Sequence, residues 1–474
     1  MGDFLGADVD QLREFARDLV SASEKLSQTG SMLSQRIAQN RGWHGPDAQR
    51  FSMDWSTRLR PTLAKVAAGL ASVGREVKIQ ADEQETASSA SGMGSGASSP
   101  RYADPGQEDL SDNELKDLKT LVDKAADSSN PFRGNDKDVQ NLREALDKLS
   151  PAELEQFLKT LSDADLKSLA DGAGASGKGL FDWQGTTAFE RQGLLDQLLS
   201  KASPEQVERI KEQFQWAQPD GTSQGDAARP GGAKPDESNR WMTPEGPVIG
   251  PDPDKDDINQ GGYGDCVVLA GAGALVASDP AWVREHVVDN GNGTVSVKLF
   301  DKDGNEQWVS VTSDLPANQY GDPKGARPGE NGSWPAYVEK ALVQVYGEDN
   351  ARDTVAKGAP ADQAFDPGHY RAIEGNYGPD ALGYLTGKDI DQTRDAQKLW
   401  QAVENNQPAI VTTRGEVPDG APNGYHAGHA YFVEGTDGNG NLILQNPWGP
   451  DEPKMVITPD QFEGLFQNAS VVSK

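Results

Sequence analysis

The 474-residue sequence holds one cysteine, Cys266. An intrachain disulfide and a cysteine-rich zinc site are both excluded, so the fold has to stand without covalent staples. Long apolar runs are missing too: nothing approaches the roughly 18 residues that a membrane-spanning helix needs. Hydrophobic residues make up only 35% of the chain and aromatics 7%, with a mean hydropathy of −0.67. One packed globule of this length would carry more, so modest cores separated by polar linkers are expected. Basic residues are few against acidic ones, 45 Lys and Arg to 74 Asp and Glu, for a net charge of −29. Such a field repels nucleic acid and anionic lipid at long range and favours solubility and basic partners. The opening residues, Met1-Gly2-Asp3-Phe4-Leu5, have neither the basic nor the apolar segment of a signal peptide. The expectation is a cytoplasmic protein, or one exported without a cleaved leader.

What is present divides the chain into parts. Leu12, Phe15, Leu19, Leu26, Leu33 and Ile37 recur at helical spacings, and Phe51, Trp55, Leu59, Leu63 and Val66 resume the pattern after Gly42-Trp43-His44-Gly45-Pro46. This predicts an all-α helical hairpin over 1–95 with apolar surface left for a partner. A stretch rich in Ser, Gly and Ala runs to 108 and supplies a linker at 96–108. Over 109–218, Ser111, Ser150, Ser162 and Ser203 each precede an acid by two or three residues. That pattern opens helices, and a helical spacer or docking domain is expected. Residues 219–257 read as an acidic linker rich in Gly and Pro, and 258–474 as an α+β domain that carries the chemistry.

The Trp43-X-Gly45 pair between two long helices is similar to the WXG family of type VII secretion substrates. The resemblance covers about the first 95 residues. It implies export to the cell surface or beyond by a signal-peptide-independent route, with a helical partner and the secretion machinery as contacts. The Tyr-x-x-x-Asp/Glu signal that the family often carries is not met, since Gly106 stands four residues after Tyr102.

Cys266 follows Gln260-Gly261-Gly262-Tyr263-Gly264-Asp265 and precedes a run of small apolar residues. The glycines let the backbone turn, and the run behind suits a buried helix with the thiol at its N-terminus. There the helix dipole lowers a thiol from about 8.5 to roughly 3.5–7.5. A thiolate needs a histidine to pair with it and to protonate a leaving amine. Of His44, His286, His369, His426 and His429, the last opens a strand-like run that meets a second run ending at Asn446. If Asp437-Gly438 is a two-residue turn, His429 falls opposite Asn446. If Asn439-Gly440 turns instead, it falls opposite Pro450. The first is preferred because it joins the two polar groups. His426, three residues away, then faces the other side. Gln260 and the Cys266 backbone N–H are the candidate oxyanion donors. Trp448 is positioned to cover the imidazole, and Asp265 adjoins the thiol.

These segments closely resemble the calpain family, whose catalytic logic is papain-like. Gln260-Gly261 through Cys266, Gly428-His429-Ala430-Tyr431, Asn446-Pro447-Trp448-Gly449 and Ser333-Trp334-Pro335 match its blocks in order over about 258–470. The resemblance implies Cys266 as nucleophile, His429 as base and acid, Asn446 as the residue that orients His429, and Gln260 lining the oxyanion hole. Val267 stands where the family often has a bulky aromatic, and Pro453 where another Trp is frequent. The family's calcium ligands do not map onto this chain residue by residue, so no cofactor and no metal ligand is expected. A secreted calpain-like cysteine endopeptidase, an effector or processing enzyme acting on proteins or peptides and held by a cognate inhibitor, is the leading expectation. A thiol deamidase or transglutaminase would use the same groups, and a docking protein of the secretion system would use none of them.

Overall fold

The computed structural model describes residues 110–127, 135–174, 186–223, 240–318, 320–346, 368–375 and 378–473, with scattered positions between 15 and 63. The chain divides into two compact units, Met1–Ala97 and Ser98–Lys474. In the first, Phe15, Leu19, Leu26, Leu33, Ile37 and Phe51 are helical. Trp55 is buried and donates its indole N–H to Ser34 Oγ at 3.1 Å. Phe15, Leu33 and Phe51 are exposed. Trp43 and Gly45 lie outside the described residues.

In the second unit, short polar side chains open the helices. Ser111 caps α1 (Asp112–Ala126), Ser150 caps α3 (Pro151–Thr160), and each bonds reciprocally with a Glu three residues on. Ser162 and Asp165 make the same exchange at the start of α4 (Asp163–Gly174). Thr187 caps α5 (Ala188–Leu199), and Ser203 caps α6 (Pro204–Gln213). These bonds satisfy amides that a helix start otherwise leaves unpaired. With α2 (Asp136–Asp147), the helices close on a core that includes Val122, Leu142, Leu146, Phe157, Leu194 and Ile210.

This helical core is bolted to the rest of the unit. Helix α5 is buried along its length and lies between α2 and a three-stranded antiparallel sheet of β2 (Val287–Asp289), β3 (Thr294–Phe300) and β4 (Glu306–Thr312). Asp196 accepts from Ser310 Oγ at 2.8 Å, and Asn292 Nδ2 donates to the carbonyls of Leu199 and Ala202, both at 2.8 Å. Asp314 ties the parts together: its carboxylate takes Gln218 Nε2 at 2.7 Å, Lys211 Nζ at 3.0 Å and the fully buried Lys340 Nζ at 3.5 Å. Burial works against ionisation of Asp314, but Lys340, Thr312, Gln218 and Lys211 hold its carboxyl well below the usual range. Residues 240–257, whose composition reads as linker, are also bonded in. The strand β1 (Arg240–Met242) pairs with β5 (Leu315–Ala317), and the Asp257 carboxylate accepts from Asn331 N and Trp334 Nε1.

Two elements carry the site. Helix α7 (Cys266–Ser278) is apolar all round, as a helix enclosed on every side must be. Around it pack α8 (Trp282–His286), α9 (Trp334–Val345) and α10 (Gly378–Thr386). The second element is a six-stranded antiparallel sheet ordered β10-β9-β8-β7-β11-β6. It comprises β6 (Ile390–Thr393), β7 (Ala409–Thr413), β8 (Ala430–Thr436), β9 (Leu442–Gln445), β10 (Met455–Ile457) and β11 (Phe466–Val472). Alternation sends Ile410, Ala430 and Phe432 toward α7, while Val411, Tyr431 and Val433 join the core under α11 (Ala396–Glu404) and α12 (Pro459–Leu465). Gly273 lets α7 approach the sheet: a Cβ there would lie 2.7 Å from the Phe432 ring.

Replacing Asp314 with Ala strands the Lys340 ammonium in a buried place without its counter-charge. That should cost about 3–5 kcal/mol, read from the denaturant midpoint of the full chain. A loss below about 1 kcal/mol, typical of an exposed pair, would contradict the clamp.

Candidate active site

The glycine-rich loop is shaped by close backbone contact. A Cβ at Gly261 would stand 1.8 Å from the Gly325 carbonyl oxygen, so only glycine fits. Gly262 N donates to Lys324 O at 2.6 Å, and Gly375 N to Gly264 O at 2.9 Å. Gln260 N donates to Pro447 O at 2.8 Å, which binds this loop to the turn that holds Asn446. Asp265 then starts α7, and Cys266 is the helix's first residue.

His429 stands just before β8, after Gly428 at φ 61°. Thr413 grips its backbone from the neighbouring strand: His429 N donates to Thr413 Oγ1 at 2.8 Å, and Thr413 N to His429 O at 2.9 Å. Asn446 follows β9. Its Oδ1 lies 2.8 Å from His429 Nε2 in a buried contact and also accepts from Trp448 N at 3.1 Å. A backbone N–H only donates, so the Trp448 bond identifies the Asn446 oxygen. His429 Nε2 must then carry the ring proton, which leaves Nδ1 as the basic nitrogen.

The His429–Asn446 contact arises differently from the expected hairpin. The turn is not Asp437-Gly438. Asp437 accepts from Asn439 N and Asn441 N at 2.8 Å each and organises a longer loop, and the strands carry a bulge between Val433 and Gly435. Phe432 therefore faces Gln445. Continuing that register puts His429 across from Trp448 rather than Asn446, and the side chains meet on the diagonal. His426 precedes the strand and does not turn away. Its ring lies 4.2 Å from Trp448 and 6.0 Å from His429. Trp448, 40% exposed, covers His429 at 4.8 Å, and Tyr431 meets the ring edge-on at 5.0 Å. Burial lowers the His429 pKa, and the bond to Asn446 resists that shift.

Two placements differ from the chemical expectation. Burial pushes the Cys266 thiol up to about 11; the Ala430 amide and the first amides of α7 offset only part of the rise, and Asp265 adds to it. Helix position alone predicts a lowered value, but desolvation of the charge prevails. Among the described residues, no hydrogen bond joins the sulfur to the His429 ring. Gln260 Nε2 donates to Tyr263 O at 2.7 Å and to Asp265 Oδ1 at 3.1 Å, so both its protons are committed away from an oxyanion. Thr413 was not among the residues picked out from the sequence, and a lone Thr at a strand end offered no signal for it. Among the described residues, no group of three or more His, Cys, Asp or Glu side chains could hold a metal ion.

The thiol at the start of α7, and the His429 imidazole bonded to the Asn446 carboxamide, are the group types that a papain-like thiol hydrolase uses. The model of the calpain family of cysteine proteases matches residues 202–454, over half of the chain, and the chain belongs to that family. It is a cysteine-type peptidase. The match begins in the helical region, just ahead of α6, and so takes in the Asp314 clamp. A search of curated proteins found no match.

Alkylation of Cys266 by a haloacetamide reads the resting thiol directly. The rate should climb about tenfold per pH unit from about pH 7 to about pH 10. A plateau below about pH 8 would show a thiolate already formed.

Proposed function

We propose that the chain is an exported endopeptidase that hydrolyses protein substrates through a Cys266 acyl-enzyme. His429 Nδ1 takes the thiol proton as sulfur attacks the substrate carbonyl carbon, and returns it to the leaving amine. Water, deprotonated by the same nitrogen, then attacks the thioester and releases the new carboxyl end. Asn446 holds the ring so that Nδ1 is the nitrogen offered. The observation that carries this reading is the 2.8 Å His429–Asn446 bond, with its oxygen identified by Trp448 N–H.

The raised thiol and the engaged Gln260 amide support a latent resting state. On this reading, substrate or processing draws Gln260 toward the oxyanion and brings sulfur and ring together. The N-terminal segment, whose sequence carries the Trp43-X-Gly45 pair, serves export by the type VII route and pairs with a second helical protein. Exposed Phe15, Leu33 and Phe51 supply apolar surface for that partner. A cognate inhibitor would protect the producing cell from such an effector. No helix among the described residues is long and apolar enough to cross a membrane.

Comparison of the N-termini generated in a protein mixture by wild type and by Cys266→Ala tests the activity. New N-termini should appear with the wild type and fall by at least about a thousandfold in the variant. Masses shifted from amide to acid without new N-termini would favour a deamidase. Equal patterns from both proteins would end the enzymatic reading.

A further inference from the structure

The loop after β5 carries Lys324 and Arg327 and is bonded along its length. Lys324 N donates to Pro316 O at 2.9 Å, and Arg327 N to Asn259 O at 2.8 Å. Lys324 O accepts from Gly262 N at 2.6 Å. Between the two cations, Ala326 N donates at 3.1 Å to Glu339 Oε2, which comes from α9. Gly325 has no room for a side chain, since a Cβ there would lie 2.1 Å from that same oxygen. Two cationic side chains therefore leave a rigid frame that is bonded directly to the loop leading to Cys266.

Both loops line a cavity of about 650 Å³, Gly262 and Tyr263 from one, Asp322, Lys324 and Arg327 from the other. Lys324 Nζ donates to Gly221 O at 2.6 Å and lies 5.6 Å from the centre of the Tyr263 ring, which holds its charge in place. Arg327 is exposed, and among the described residues no carboxylate pairs with its guanidinium. Asp322, the one acid among the described residues of the wall, accepts from Asn318 Nδ2 at 3.1 Å. Two cations against one acid make this wall positive, in a chain whose net charge is −29.

We infer that the cavity is a substrate subsite for a carboxylate side chain of the peptide, with Arg327 as its specificity-determining residue. A guanidinium presents two parallel N–H groups to a carboxylate, a match that neutral and basic side chains cannot make. The field of the whole chain is negative, but salt screens exposed charges beyond about 8 Å, so the nearest groups decide. Gly262 stands four residues before Cys266, at most about 14 Å away along the backbone. An extended peptide rises about 3.4 Å per residue, which puts the selected acid within about five residues of the bond that is cut. The inference rests on Cys266 being the nucleophile of a peptidase, and it names the side chain that such a peptidase selects.

Peptides that differ only in carrying Glu, Gln or Lys at one scanned position test this with the full chain. At one position near the cut, wild type should favour Glu over Gln by about tenfold in kcat/KM, through KM rather than kcat. Arg327→Gln should erase that preference, and Arg327→Glu should turn it toward Lys. A reversal of selection is an effect that a damaged fold does not produce. A wild type indifferent to Glu at every position, or a preference for Glu that survives Arg327→Glu, would overturn the subsite.

Binding separates this inference from the proposed function. At about 0.15 M salt, where long-range repulsion is screened, the full chain carrying Cys266→Ala should bind a fluorescent Glu-containing peptide more tightly than its Gln counterpart. Adding Arg327→Glu should abolish the difference. That pattern, together with a wild type that cuts no peptide, would sink the proposed function alone. Equal affinity for the two peptides in Cys266→Ala would overturn the subsite whatever the activity.

Discussion

The hydrogen bond between His429 and Asn446 is the constraint on which the proposed chemistry depends. A free imidazole exchanges its proton between two nitrogens and rotates, so half of its orientations are useless to a neighbouring thiol. Here the Trp448 amide identifies the carboxamide oxygen, the oxygen claims the Nε2 proton, and Nδ1 is left as the basic ring nitrogen. Thr413 adds the backbone grip that keeps His429 ahead of β8. Each bond is ordinary, and together they leave the ring one tautomer and one direction.

The loop that carries Cys266 is built to a different standard. It is bonded at nearly every residue, yet those bonds hold Gln260 on Tyr263 and Asp265 and leave the sulfur in a desolvated place that favours the protonated form. On the proposed reading, a fixed imidazole and a restrained thiol are what an enzyme that waits for its substrate needs. Helix α9 packs against α7, which carries the thiol, and through Lys340 it reaches the Asp314 clamp. The helical region is thus mechanically continuous with the site, not hung from it.

Much of this was legible in the residues. Ser111, Ser150, Ser162 and Ser203 do open helices, because a hydroxyl's reach to the next turn's amides is a local matter. Cys266 heads a buried helix, as its glycines and small apolar followers imply. What could not be read depends on distant partners. The Asp437 loop and the bulge at Glu434 set the hairpin register, so the right contact followed from the wrong turn. The rise in the thiol pKa needs the enclosing sheet, and the bonded state of 240–257 needs Asn331 and Trp334, far along the chain. Composition alone assigns that acidic stretch to solvent.

The direct measurement is the nitrogen NMR spectrum of the His429 ring in Cys266→Ala at neutral pH. The account predicts a protonated Nε2 and a bare Nδ1 held in a single tautomer. A ring that averages between tautomers, or that carries its proton on Nδ1, would contradict it.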